Sequence, residues 1–172
     1  MDYTAHYDSP LGGITMASDG TALVGLWFDG QKYFADTLAE EHEERPDLAV
    51  FDQTRRWLDI YFSGKAPDFT PALLMRTSPF RKKVWQLLME IPFGQTMTYG
   101  DIAHRLNCKG AQAVGGAVGH NSISLIIPCH RIIGSNGSLT GYAGGIGKKA
   151  FLLQMEHAAT PLSQDSIQQQ TT

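Results

Sequence analysis

Cys129 and His130 stand side by side in the run LIIPCHRIIG, residues 125–134, with Pro128 before them and Arg131 after. A cysteine attacks as its thiolate, and a free thiol with a pKa of ~8.5 is mostly protonated at neutral pH, so a nucleophilic Cys129 needs a base or a cation nearby. His130 is the nearest base. Neighbours in a regular strand point to opposite faces, so adjacency alone would part the two side chains. Pro128 interrupts that regularity, and a bridging water is a second way to join them. A histidine base in turn needs an acid to orient it. Residues 76–160 hold three acids; Asp101 reads as a helix cap and Glu90 as the end of a helix, which leaves Glu156. Two plainer readings stay open. Cys129 could be a small buried apolar residue, or part of a metal site, for which Cys108 and scattered histidines are the further ligands on offer.

The elements that must position this group follow from pattern. Residues 3–7, 13–17 and 21–28 read as short strands parted by the turn sequences DSPLGG and SDG. ADTLAEEHEE reads as a solvated helix or a charged loop. Val50, Phe51, Trp57, Leu58, Tyr61 and Phe62 fall mostly on one helical stripe, with Gly64 as its stop. KAPDFTPALLMRTSP is proline-rich and reads as a linker. Ser78 then caps a helix with Pro79 at its first position, and Phe80, Val84, Leu87, Leu88 and Ile91 line one face up to Pro92. Thr98 and Asp101 form a capping box before a second helix. After the turn NCKG, the helix AQAVGGAVG carries three glycines, each costing roughly 1 kcal/mol against alanine. Close backbone approach to another surface is the usual compensation; tight packing on the thiol segment is the other explanation. The two helices resemble a helix-turn-helix. GSNGSLTGYAGGIG is a glycine-dense loop, KKAFLLQMEH a last helix with Phe151, Leu152 and Met155 inward, and the polar tail a disordered one.

The chain has 172 residues, 42% of them hydrophobic, enough for one domain or two small ones. No apolar run approaches the ~18 residues that span a bilayer, and the acidic start MDYTAHYDSP is not a signal peptide. Two cysteines are too few for a disulfide framework, which favours a reducing compartment. Charge is divided: residues 1–75 hold 5 Lys+Arg against 13 Asp+Glu, and residues 76–160 hold 9 against 3. A basic second half fits a polyanion, and equally an attraction between two lobes. The expected organisation is a scaffold domain over 1–74, a functional domain over 75–160 and a tail over 161–172.

IPFGQTMTYGDIAHRL, AVGGAVGHN, IPCHRIIGSNGSLTGYAGG and LLQMEH occur in the order and spacing of the O6-alkylguanine-DNA alkyltransferase family. The resemblance covers residues 79–157, with a looser likeness in SPLGGITMASDGTALVGLWF. It implies an α/β chain with a small ribonuclease-H-like sheet-plus-helix domain, then a mostly helical, winged-helix-like domain containing the helix-turn-helix. It implies a monomeric repair protein that flips an alkylated guanine out of double-stranded DNA and takes the alkyl group onto Cys129. His130 would be the base acting through a water, Glu156 its orienting partner, Asn121 a brace and Tyr99 the donor to the leaving guanine. Tyr142, Ala143, Ile132, Val118 and Ser124 would line the base pocket. Ala111, Gln112 and Gly115 would meet DNA, and Arg131 would support the site or the DNA contact. No cofactor and no metal is implied: the N-terminal half lacks the cysteines of the zinc site some relatives have. No membrane partner is implied, and the expected location is the cytoplasm, or the nucleus in a eukaryote.

One departure stands out. The family usually carries an arginine before AVGG, which fills the hole left by the flipped base; this chain has Gln112. Competing readings are a non-catalytic lesion binder, a cysteine hydrolase, for which no oxyanion donors are evident, and an ordinary helix-turn-helix regulator, against which AQAVGGAVG has no charge.

Overall fold

The structure, a computed structural model, describes residues 1–107, 110–139 and 142–159. Cys108 and the tail at 161–172 lie outside them. The described residues form two compact units: Met1–Arg76 with Ser122–Ile126, and those of Thr77–Asn121 with those from Ile127 to Ala159.

The first unit is built on a four-stranded sheet in the order β3-β2-β1-β4. Strands β1 (Asp2–Ser9), β2 (Gly12–Ser18) and β3 (Leu23–Phe28) form an antiparallel meander with Tyr7 opposite Ile14 and Ile14 opposite Phe28. The residues read as a helix or loop instead supply a strand, β4 (His42–Glu44), which runs parallel to β1 at Asp2–Thr4. Helix α1 (Ala49–Phe62) buries Val50, Phe51, Thr54, Trp57, Leu58 and Tyr61, the i, i+3, i+4 stripe expected of one apolar face. Gly64, at φ 89, turns the chain out of it. Every residue of β3 is buried because its outer edge is also covered. Leu23 bonds the backbone at Ala72 and Leu74, and Leu26 bonds Ser122 and Ser124. Residues 122–126 of the second half thus complete the sheet of the first.

The second unit opens with α2 (Pro79–Leu88), where the Ser78 hydroxyl accepts from the Arg81 N–H at 3.3 Å. It stops at Leu88, three residues short of the Ile91 expected from pattern, and Gly94 at φ 84 reverses the chain. The capping box forms as its residue types dictate: Asp101 N–H donates to Thr98 Oγ1 at 3.0 Å and Thr98 N–H to Asp101 Oδ2 at 2.9 Å. It starts α3 (Tyr99–Arg105), which packs on α4 (Ala111–Gly119). Buried Trp85 donates Nε1–H to the Ala117 carbonyl at 2.8 Å and so ties α2 to α4. A two-stranded parallel pair, β5 (Met97–Thr98) with β6 (Ile132–Ile133), holds the segment after the thiol. The chain ends its described part in α5 (Ile146–Ala159). Here Leu152 and Leu153 are buried while Phe151 is 42% exposed, so the inward face is not the one expected from residue type.

Candidate active site

Pro128, at φ −81 and ψ 67, has the geometry of an inverse γ-turn, and Cys129 N–H closes it onto the Ile127 carbonyl at 2.8 Å. The next three residues, Cys129–Arg131, make one 3-10 turn. Three residues per turn place successive side chains about 120° apart. That answers the adjacency problem: Cys129, His130 and Arg131 fan outward instead of alternating across a sheet. All three are buried, the thiol being free and 4% exposed.

Helix α5 packs against this turn and brings the fully buried Glu156 to it. His130 Nε2 lies 2.6 Å from Glu156 Oε2. Arg131 donates Nε–H to Oε1 at 2.9 Å and Nη2–H to Oε2 at 3.3 Å, and Gly94 N–H reaches Oε1 at 3.0 Å. Arg131 Nη1–H is spent on the Ile91 carbonyl at 2.8 Å. Burial alone would raise the Glu156 pKa, but His130 and Arg131 outweigh it and hold the carboxyl far below the usual carboxylate range. An ionised carboxylate can only accept, so Nε2 carries the proton and Nδ1 carries the lone pair. Burial then pulls His130 below its ordinary value, against the upward pull of Glu156. The result is a neutral imidazole at pH 7 in the tautomer a base needs.

The thiol has its own surroundings. Burial pushes Cys129 up; the Asn121 side chain, Lys149 and the N–H groups of Cys129 and His130 act against it. Asn121 also donates Nδ2–H to the Ile127 carbonyl at 2.7 Å, so one amide spans both ends of the γ-turn. Tyr99 opens α3, and burial, then the Cys129 charge, raises its pKa. Tyr142 is raised further for the same reasons, its ring standing edge-on to His130 at 6.5 Å, and its buried hydroxyl has no hydrogen-bond partner among the described residues. Both phenols therefore stay protonated and able to donate.

The structure gathers Cys129, His130, Glu156, Asn121, Tyr99 and Tyr142 in the second unit, with buried Val118 and Ile132 and half-buried Ala143. The Cys129 carbonyl already accepts from Ile132 N–H and keeps one lone pair for another donor. Ser124 belongs to the first unit, its hydroxyl 3.5 Å from Gln31 Oε1. Arg131 faces inward onto Glu156 and Ile91, which makes it a support of the site and corrects its placement among DNA contacts. Ala111 and Gln112 are exposed at the start of α4. A Cβ added at Gly115, Gly116 or Gly119 would meet nothing within 4 Å. Internal packing therefore does not explain these glycines, and the explanation by packing on the thiol segment falls. Lys149, Gly94 and Ile91 escaped the reading of the sequence. Lys149 could have been found from the helical phase, since it lies seven residues before Glu156.

Two domain families match the chain: the 6-O-methylguanine DNA methyltransferase ribonuclease-like domain over residues 3–74, and the DNA binding domain of the same methyltransferase over residues 79–158. A methylated-DNA–protein-cysteine methyltransferase of Mycobacterium tuberculosis is 41% identical over 160 residues, covering 91% of this chain and 94% of its own. Its Haemophilus influenzae namesake is 40% identical over 156 residues, covering 90% and 86%. The crystal structure of Mycobacterium tuberculosis OGT in complex with DNA superposes with a TM-score of 0.83 at 39% identity, covering 92% of this chain and 95% of that one. With both halves matched and the cysteine, histidine and glutamate joined as described, the chain belongs to the 6-O-methylguanine DNA methyltransferase family.

Proposed function

We propose that this protein repairs DNA by moving the alkyl group of O6-alkylguanine onto Cys129, once per molecule. The observation that carries the reading is the buried Nε2–H···Glu156 hydrogen bond at 2.6 Å, which leaves Nδ1 of His130 as the base on the same turn as the thiol. The Cys129 proton passes to Nδ1 through a water. The sulfur lone pair then forms the S–C bond while the electron pair of the C–O6 bond leaves with the guanine. Tyr99 donates to the departing base, and the proton lost by sulfur ends on guanine. The product is a thioether, which His130 and water cannot cleave, so the protein is consumed. Donors set in place before the reaction need no reorganisation as charge develops on guanine.

The substrate is reached by flipping it out of the duplex, at a cost of a few kcal/mol that is least for a poorly paired base. The bare face of α4 supports close approach of the helix backbone to a DNA groove, because an added Cβ at Gly115 or Gly116 touches nothing of the protein. The family resemblance implies that this groove is the minor one. No helix among the described residues is long and apolar enough to cross a membrane, and the cytoplasm is where we place the protein. The test is mass spectrometry after mixing with duplex DNA containing O6-methylguanine. One methyl group on the Cys129 peptide is expected; an unmodified peptide after complete binding refutes transfer and leaves a lesion binder.

A further inference from the structure

Helix α4 ends without the device that commonly stops a helix. None of Gly119, His120 and Asn121 has a positive φ, so there is no left-handed cap. The backbone ladder holds as far as His120, whose N–H reaches four residues back to the Gly116 carbonyl at 3.2 Å. It changes at Asn121, whose N–H goes three back, to Val118 at 3.2 Å. The carbonyl four back from Asn121, that of Ala117, is the one that accepts the Trp85 indole N–H at 2.8 Å. Trp85 is fully buried and Ala117 nearly so. Trp85 is carried by α2, whose start is fixed by Ser78 and Pro79 and whose Val84 and Leu88 are buried as well. From Asn121 the bonds run on to the thiol segment. Asn121 Nδ2–H donates to the Ile127 carbonyl at 2.7 Å, and the same carbonyl accepts the Cys129 N–H at 2.8 Å.

We propose that Trp85 is a positioning residue for alkyl transfer: its hydrogen bond to Ala117 stops α4 short of Asn121, so that Asn121 holds the γ-turn carrying Cys129 instead of continuing the helix. The inference rests on Cys129 being the alkyl acceptor. A buried carbonyl without a donor is costly. Once the indole N–H is removed, the Ala117 carbonyl takes the donor nearest along the chain, the Asn121 N–H, and α4 grows by one residue. Asn121 then follows the helix, and its side-chain amide leaves the Ile127 carbonyl. That amide also favours the Cys129 thiolate against burial, so its departure loosens the turn and lowers the thiolate fraction together. The helical bonds of the first part of α4, where Ala111, Gln112, Gly115 and Gly116 lie, are not involved. Trp85 thus acts on the transfer step through Asn121, and not on the hold on DNA.

The test is a double-mutant cycle of Trp85→Phe and Asn121→Ala in the full chain. Trp85→Phe keeps an apolar ring and removes the donor. Three quantities are read at pH 7: single-turnover methyl transfer at saturating duplex O6-methylguanine DNA, affinity for that duplex, and capture of Cys129 by iodoacetamide. Trp85→Phe should slow transfer and capture by roughly three- to tenfold, the net worth of one hydrogen bond, and leave duplex affinity within about twofold. In the Asn121→Ala chain, Trp85→Phe should have no further effect on either rate. Unchanged rates in folded Trp85→Phe overturn the proposal. So do effects of the two substitutions that multiply, or a loss of affinity as large as the loss of rate, since either would mean that Trp85 serves only the seating of α2 on α4. Should Trp85→Phe unfold, it is carried in the chain with Gly115→Ala and Gly116→Ala, and its capture rate is compared with that chain alone by the same criterion. Unfolding there too overturns the proposal, because the bond would then belong to the core. A wild type that shows the coupling in capture yet takes no methyl group from DNA would refute the function instead and leave Trp85 as assigned.

Discussion

Gly115 and Gly116 make a demanding prediction because stability and binding should move in opposite directions. Both lie inside α4 and neither has a positive φ. A glycine in a helix interior costs about 0.8–1 kcal/mol against alanine. An added Cβ at either position meets nothing within 4 Å, so the alanine gain is not offset by a clash. Gly115→Ala and Gly116→Ala should each stabilise the protein by up to about 1 kcal/mol, and the double variant by up to roughly 2 kcal/mol. On DNA the same methyl groups hold the helix backbone away from the groove. The double variant should bind duplex DNA more weakly by about tenfold, the equivalent of roughly 1.4 kcal/mol. Its reaction with iodoacetamide at Cys129 should not change. Urea denaturation and fluorescence anisotropy on a methylguanine duplex measure the two effects. A loss of stability would mean that the glycines serve internal packing, and unchanged binding would mean that this face of α4 is not the DNA surface.

Glu156→Gln keeps the shape of the carboxylate but removes its charge, leaving Arg131 buried without its counter-ion and offering an N–H to His130 Nε2. Removing one partner of a buried pair costs about 3–5 kcal/mol, and the wrong histidine tautomer should slow transfer by about 10²-fold or more; a variant within threefold of wild type in single-turnover transfer would sink the base assignment. Stability should fall on acidification. Both His130 and Glu156 have folded pKa values below their unfolded ones, so their contributions are complete above about pH 6.5 and 4.5 respectively and are lost as pH falls through the lower folded values. Denaturation at pH 7, 5.5 and 4 should show this, and Glu156→Gln should flatten the lower part. Gln112→Arg restores a long cation at an exposed position of α4. It should tighten duplex binding and speed transfer on duplex DNA without altering iodoacetamide capture, and an unchanged transfer rate would remove Gln112 from any role at the flipped base.

What could be read from sequence was whatever is decided locally. Ser78 with Pro79, and Thr98 with Asp101, set helix starts through bonds spanning three residues, and both formed as written. Non-local pairing was invisible. His42–Glu44 is polar and exposed, so no alternation marks it; it is a strand because residues forty positions earlier offer an edge. Residues 122–126 gave no sign of leaving their own unit, since an apolar run looks alike in either core. Phe151 was read as inward by residue type, but Glu156 sets the phase of α5, and that phase turns Phe151 out and Lys149 in. Among the site residues, Cys129, His130 and Glu156 were legible because few residue types can do this chemistry and the second half has few acids. Lys149 was passed over because a lysine is assumed to reach water, although its place seven residues before Glu156 puts it on the same buried face.

The short turn also explains why a nucleophile, its base and a supporting cation can be consecutive. In a strand His130 would point away from Cys129, and in an α-helix the two would be 100° apart but would need several more residues to close the backbone bonds. The γ-turn at Pro128 and the 3-10 turn after it satisfy their own N–H groups within two or three residues: Cys129 N–H on Ile127, Arg131 N–H on Pro128 and Ile132 N–H on Cys129. No surrounding ladder is required, so a buried segment can carry three functional side chains without stranding its backbone. Glu156 then fixes two of the three from one helix, and the third, the thiol, is left beside the Asn121 side chain.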